Sequence, residues 1–125
     1  MMEPFRIDPD RNTPLIHLKP DGNMKISGRS IHENVAEFYQ PSFDWAEEYL
    51  LDPPDSTCID IQLEYFNSAS AKYIIKLLQK FRMVLFKDKK LYINWFYEEG
   101  DEDILERGEY FSSVLDIEFN FVEIT

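Results

Sequence analysis

The sequence predicts a single α/β domain in which helices flank a mixed β-sheet. Two apolar, β-rich runs, 57–66 and 91–97, indicate buried strands. The segment between them has the apolar spacing of a helix, and a strand candidate at 119–124 follows an acidic helix candidate within 98–111. Strands that alternate with helices are typical of layered α/β domains. The length of 125 residues suits one such domain, which we expect to span 1–125.

The N-terminal part predicts a hairpin after a polar lead-in at 1–12. Apolar residues at 15–18 and 24–26 flank Asp21-Gly22, a frequent turn pair. We expect the second strand of this hairpin to end at Gly28, because glycine weakens strand interiors.

The next segment predicts a helix with an interruption. Asn34 followed by Glu37 resembles a capping box, and apolar residues recur at helical spacing up to Leu50. Pro41 removes one helical hydrogen bond, so we expect either a kinked helix or a short turn before a helix. The complete predicted order is β-β-α-β-α-β-α-β.

The second helix is predicted to run from Ser68 to about Phe86. Its apolar face is marked by residues 74, 77, 78, 81 and 85. The polar turn at Asn67-Ser68 separates it from the preceding strand, so that Ser68 lies at a strand-to-helix junction.

Charge is distributed unevenly along the chain. The net charge is −11, yet residues 72–90 carry seven basic residues against Asp88 alone. An acidic chain without a broad basic surface argues against nucleic-acid binding, and no apolar run approaches the roughly 20 residues that cross a bilayer. A single cysteine, Cys58, excludes an internal disulfide. We expect a cytoplasmic protein with no cofactor and with neither nucleic acid nor membrane as partner.

The junction at Ser68 suits a phosphate group. The first N–H groups of a helix have no intrahelical partner and attract anions. Lys72, Lys76 and Lys80 follow Ser68 at successive steps of four and predict a basic stripe on one helix face. This lysine stripe would hold a phosphate or dock an acidic partner. Two plainer interpretations remain open, in which Ser68 or Ser70 is an N-cap and the lysines are a solvated face.

Several motifs are distributed over nearly the whole chain: Gly28-Arg29-Ser30-Ile31-His32-Glu33-Asn34, Phe38-Tyr39-Gln40-Pro41, Trp45, the segment Leu63-Glu64-Tyr65-Phe66-Asn67-Ser68-Ala69-Ser70-Ala71-Lys72, Trp95-Phe96-Tyr97 and Asp101-Glu102-Asp103. Together they resemble the SiaC family of bacterial regulatory phosphoproteins. The threonine phosphoacceptor of the family aligns with Ser68, which keeps the hydroxyl. His32 stands where the family usually has proline, and Ala69 replaces a hydroxyl residue.

The resemblance implies a STAS-like fold and a regulatory role in place of enzymatic activity. It implies that a cognate, SiaB-like kinase phosphorylates Ser68 and that a PP2C-type, SiaA-like phosphatase reverses this. The unphosphorylated form would bind a signalling effector such as a diguanylate cyclase, in bacterial cyclic-di-GMP signalling and biofilm control. The candidate partner-binding residues are Asn67, Ser70, Lys72, Lys76 and Lys80.

The acidic segment 98–109 supports an alternative, a metal-binding or enzymatic domain. It contains seven carboxylates, and hard cations need convergent oxygen ligands. Their spacing does not match an EF-hand loop, and acidic residues are also favourable in a first helical turn, with Asp101 as a ready N-cap. A constitutive adaptor that is never phosphorylated is a third hypothesis.

Overall fold

One mixed sheet of six strands, ordered as in the chain, forms the centre of the computed structural model, which describes residues 2–125. The strands are β1 (Phe5–Ile7), β2 (Leu15–Leu18), β3 (Asn23–Ser30), β4 (Ser56–Phe66), β5 (Lys90–Glu98) and β6 (Asn120–Ile124). β1, β2 and β3 pair antiparallel, and β3 to β6 pair parallel. The predicted hairpin is β2 and β3.

Three helices connect the parallel strands: α1 (Val35–Tyr49), α2 (Ser68–Arg82) and α3 (Glu102–Leu115). A 3₁₀ helix, Met83–Lys87, extends α2. Parallel crossovers are right-handed, so successive crossovers in a sheet of sequential order place their helices on the same face. The predicted α/β class and mixed sheet are confirmed, and the STAS-like label stays a prediction. Among residues 2–125, no helix has both the length and the apolar character of a membrane span.

The burial pattern of the central strand identifies the covered face of the sheet. In β4, Ile59, Ile61 and Leu63 are buried. Gln62, which lies between Ile61 and Leu63, is exposed, and so is Glu64, which follows Leu63. This alternation places the core between the sheet and the helices. At the end of β4, Phe66 packs against Trp95 of β5 and Phe111 of α3, with ring centroids 6.2 and 5.5 Å away.

The N-terminal part differs from the sequence prediction in two places. The polar lead-in contains β1, whose Phe5 and Ile7 are half-buried beside β2. Two apolar residues are too few to produce a strand signal, and pairing with the edge of β2 supplies the missing stabilisation. Gly28 does not end its strand either: with φ of 103° it lies at a bulge, a conformation open to glycine, and β3 continues to Ser30.

Helix α1 runs without a break through Pro41, so the expectation of a turn followed by a separate helix is wrong. Pro41 itself is exposed. The opposite face of α1 buries Tyr39, Ala46 and Tyr49 against the sheet, and this packing outweighs the loss of one hydrogen bond. Asn34 caps the helix as predicted, although Glu37 bonds to the Asn34 side chain and not to its backbone.

Candidate functional site

Ser68 is the first residue of α2, as the sequence predicts, and its side chain is exposed. The N-cap is Asn67, whose side-chain oxygen accepts the N–H of Ser70 at 2.9 Å. The suggestion that Ser68 or Ser70 caps the helix is therefore wrong. The first intrahelical hydrogen bond runs from the Ala71 N–H to the Asn67 carbonyl. The N–H groups of Ser68 and Ala69 precede that bond and lie in the first turn, where anions are stabilised.

Ser70 is fully buried, in contrast to Ser68. The Ser30 hydroxyl donates to its Oγ at 2.9 Å, and Ser30 also hydrogen-bonds the Tyr39 hydroxyl at 2.7 Å. Burial raises the pKa of Tyr39 to about 12, opposed in part by that hydrogen bond. This network fixes the start of α2 to β3 and α1. Ser70 is thus inaccessible to a partner protein, and its assignment as a partner-binding residue is wrong.

A groove of about 670 Å³ lies between α2 and α3, and Ser68 is among the residues that line it. Its apolar lining includes Phe66, Ile75 and Tyr110, of which Tyr110 is 63% exposed. Its charged lining residues are Lys72, Lys76, Arg107, Asp103 and Glu106. The groove therefore joins the predicted phosphoacceptor, cationic groups and exposed apolar surface in one place.

The lysine stripe divides between two surfaces. Lys72 and Lys76 line the groove, and the Lys76 ammonium also lies 5.1 Å from the centre of the Tyr73 ring. The Lys80 ammonium instead lies 2.6 Å from a Glu47 carboxylate oxygen on α1. A step of four residues exceeds one helical turn by about 40°, so two such steps rotate Lys80 towards α1. The expectation that all three lysines lie on one surface is therefore wrong for Lys80, which does not line the groove.

Arg107 belongs to the site, although the sequence analysis did not select it. Its Nη1 donates to the Phe66 carbonyl at 2.6 Å, and its guanidinium lies 4.5 Å from the centre of the Phe66 ring. Its Nε is 3.7 Å from an Asp103 carboxylate oxygen. The signal in the sequence was that Arg107 is the sole basic residue within 91–125, against ten acidic ones.

The acidic segment 98–109 has structural roles in this fold. Asp101 caps α3 by accepting the Ile104 N–H at 3.1 Å, as predicted, and Glu102 and Asp103 occupy the first turn, where the helix dipole favours acids. Within residues 2–125, no three histidine, cysteine or carboxylate side chains are grouped so that they would hold a metal ion. The alternative of a metal site in this segment therefore lacks the necessary geometry among the described residues.

Comparison with solved structures agrees with this architecture. Apo-SiaC from Pseudomonas aeruginosa superposes with a TM-score of 0.84 at 25% identity, covering 99% of this chain and 100% of the other. A second structure of SiaC from the same species gives 0.82 at 26% identity, over 99% and 98%. A crystal structure of the diguanylate cyclase SiaD in complex with its activator SiaC, also from P. aeruginosa, gives 0.87 at 24% identity, over 96% and 99%.

Sequence comparison gives a relative and a family match. An uncharacterized protein of P. aeruginosa strain UCBPP-PA14 is 27% identical over 90 residues, which cover 72% of this chain and 71% of that protein. Residues 7–124 match the family described as SiaC family regulatory phosphoprotein. Since this match includes every strand and helix except part of β1, the chain belongs to the SiaC family of regulatory phosphoproteins.

Proposed function

We propose that this protein is a phosphorylation-controlled interaction switch in the cytoplasm, with Ser68 as the phosphoacceptor. The observation that carries the proposal is the exposed Ser68 at the start of α2, on the edge of a groove of mixed charge, in a chain that belongs to a family of regulatory phosphoproteins. A cognate, SiaB-like kinase adds the phosphate, and a PP2C-type, SiaA-like phosphatase removes it.

Accessibility favours Ser68 over its neighbour as the acceptor. A kinase must reach the hydroxyl, and Ser68 is exposed whereas Ser70 is buried. Ala69, also exposed, has no hydroxyl. The segment 67–70 therefore offers one accessible serine, and the Asn67 cap stabilises the first helical turn in which it lies.

The charge of the groove explains how phosphate would act. The groove is lined by three cationic side chains, Lys72, Lys76 and Arg107, and by two carboxylates. A phosphate adds about −1.5 to −2 charges at neutral pH. The small positive balance of the groove then becomes negative, so an acidic partner segment that fits the unmodified groove is repelled after phosphorylation.

The partner of the unphosphorylated form is, in our proposal, a diguanylate cyclase. In P. aeruginosa, SiaC is the activator of the diguanylate cyclase SiaD and forms a complex with it. This protein belongs to the same family as SiaC, and Tyr110 and Ile75 provide apolar contact surface in its groove beside the charged residues. Exposed aromatic side chains are frequent at the centre of protein interfaces. The role is therefore binding, with catalysis supplied by the partner.

The test combines identification of the modification with partner binding. Intact mass of the protein from its native host, before and after phosphatase treatment, is expected to differ by one phosphoryl group in the parent and not in Ser68→Ala. Calorimetric titration with the diguanylate cyclase of the same host is expected to give parental affinity for Ser68→Ala. Ser68→Asp should bind more weakly than the parent but less weakly than the phosphorylated protein, because it carries one negative charge where phosphate carries nearly two.

Two results would contradict the proposal. A phosphoryl group that persists in Ser68→Ala places the acceptor elsewhere. Equal affinity of the parent, Ser68→Ala and the Ser68-phosphorylated protein for the cyclase would show that the modification does not control binding. Aspartate is favourable in the first turn of a helix, and α2 is already capped by Asn67, so weaker binding of Ser68→Asp does not reflect a damaged helix.

A further inference from the structure

Arg107 is anchored at the strand end that leads into Ser68. Its Nη1 hydrogen-bonds the carbonyl of Phe66, two residues before Ser68, and both Arg107 and Ser68 line the same groove. Neighbouring Cα atoms are about 3.8 Å apart, so the carbonyl that anchors the guanidinium is at most two residue steps along the backbone from the modified residue. The contact joins residues 41 positions apart, from α3 to the end of β4.

The guanidinium is anchored but not enclosed. It lies on the Phe66 ring, its side chain is 33% exposed, and its Nε is 3.7 Å from Asp103, beyond hydrogen-bond distance. Arginine has five N–H donors in a planar fork that matches the oxygens of a phosphate. One N–H of the guanidinium donates to the Phe66 carbonyl. The longer contact with the Asp103 carboxylate can be replaced by a contact with a more strongly charged anion.

We propose that Arg107 binds the phosphate of modified Ser68 and holds it against α3, an inference that rests on the proposed phosphorylation of Ser68. A phosphate with nearly two charges competes successfully with the single carboxylate of Asp103. Lys72, one turn after Ser68, supplies a second cation from α2, and Lys76 contributes at longer range. Arg107 is thus a positioning residue that connects the modification to α3.

The consequence is a change on both walls of the groove. Without phosphate, Arg107 balances Asp103 and leaves Lys72 and Lys76 free to meet an acidic partner. With phosphate, Arg107 and Lys72 are both occupied, so Asp103 loses its cation while the Glu106 carboxylate also lines the groove. The groove then repels an acidic partner through the phosphate and through these carboxylates together.

The experiment uses protein that carries phosphoserine at position 68 by amber suppression, so that no kinase is needed. Phosphorus NMR follows the second ionisation of the phosphate, whose pKa is about 6 in the absence of partners. A bound guanidinium favours the dianion, so the parent is expected to titrate below that value. Arg107→Gln is expected to raise the phosphate pKa by about one pH unit, and Arg107→Lys, which keeps the charge but loses the fork, by less.

Lys80→Gln is the matched control, because Lys80 pairs with Glu47 on α1 and does not line the groove. A phosphate that titrates in Arg107→Gln as it does in Lys80→Gln overturns the inference. If Arg107→Gln does not fold, Arg107→Lys decides: a pKa equal to that of the parent would show that the fork is not engaged.

The titration tests the Arg107 inference, and the partner measurement tests the proposed function, so either one can be contradicted without the other. No partner is present during the titration, so a phosphate held by Arg107 is detected even if phosphorylation has no effect on cyclase binding. Conversely, phosphorylation that weakens cyclase binding equally in the parent and in Arg107→Gln, together with an unchanged phosphate pKa, removes Arg107 from the switch and leaves the proposed function intact.

Discussion

Gly108 of α3 packs directly against the indole ring of Trp95 in β5. A Cβ at this position would lie 2.5 Å from the indole Nε1, which is closer than side chains tolerate. The same Nε1 donates to the Ile104 carbonyl of α3 at 3.0 Å. Because Arg107 immediately precedes Gly108, the close approach of helix and strand also sets where the guanidinium lies.

Gly108→Ala is expected to lower the free energy of unfolding by about 1–3 kcal/mol, because the fully buried Trp95 has little space to move. Urea denaturation measures this loss. Ser113→Ala, at an exposed position of the same helix, is the control and should change stability by less than about 0.5 kcal/mol. Equal stability of the two variants would contradict the close packing of α3 on β5.

Asn67→Ala is expected to cost about 1 kcal/mol of stability, because the Ser70 N–H loses its cap. Ser68→Ala should be close to neutral, since Ser68 is exposed and does not cap the helix. Chemical denaturation of the two variants separates capping from phosphorylation. A larger loss in Ser68→Ala than in Asn67→Ala would reverse the two roles.

Tyr39→Phe should alter the pH dependence of stability in alkaline solution. Folding raises the pKa of Tyr39 from 10.0 to about 12, so the folded protein retains a proton that the unfolded chain releases. Stability from this group is complete below pH 10 and is lost as the pH rises towards 12. At pH 11 the parent should have lost roughly 1 kcal/mol through Tyr39.

In Tyr39→Phe, the loss of stability that Tyr39 causes between pH 9 and pH 11 is expected to disappear. Urea denaturation at both pH values measures this. Burial also raises the pKa of Tyr49, so some decline persists in the variant and Tyr49→Phe serves as the comparison. A decline identical to that of the parent would indicate that the Tyr39 hydroxyl is not held neutral by the fold.

Charge reversal in the lysine stripe is expected to affect binding according to the surface each lysine occupies. If a diguanylate cyclase is the partner, as proposed, Lys72→Glu and Lys76→Glu should weaken its binding by up to about tenfold, mostly through slower association. Lys80→Glu faces Glu47 and should leave the affinity near that of the parent. Calorimetry at low and at physiological salt tests this, and a Lys80→Glu effect as large as that of Lys76→Glu would contradict the division of the stripe.

The sequence by itself determined most of the secondary structure and the position of the candidate acceptor. Alternation in 57–66 and 91–97 predicted β4 and β5, and the apolar spacing at 74–85 predicted α2 with its start at Ser68. These signals are local, because side chains two residues apart share a strand face and those three or four apart share a helix face. The resemblance of several motifs to the SiaC family then indicated that Ser68 is a regulatory phosphoacceptor.

Tertiary structure alone decided which candidate side chains line the groove beside Ser68 and which do not. Arg107 reaches Phe66 across 41 residues, Lys80 pairs with Glu47 across 33, and Ser70 is buried against Ser30 across 40. Each contact depends on how far a helix is rotated about its axis and how closely it approaches the sheet. Those quantities follow from the packing of the whole core, including Gly108 on Trp95, and no local periodicity encodes them.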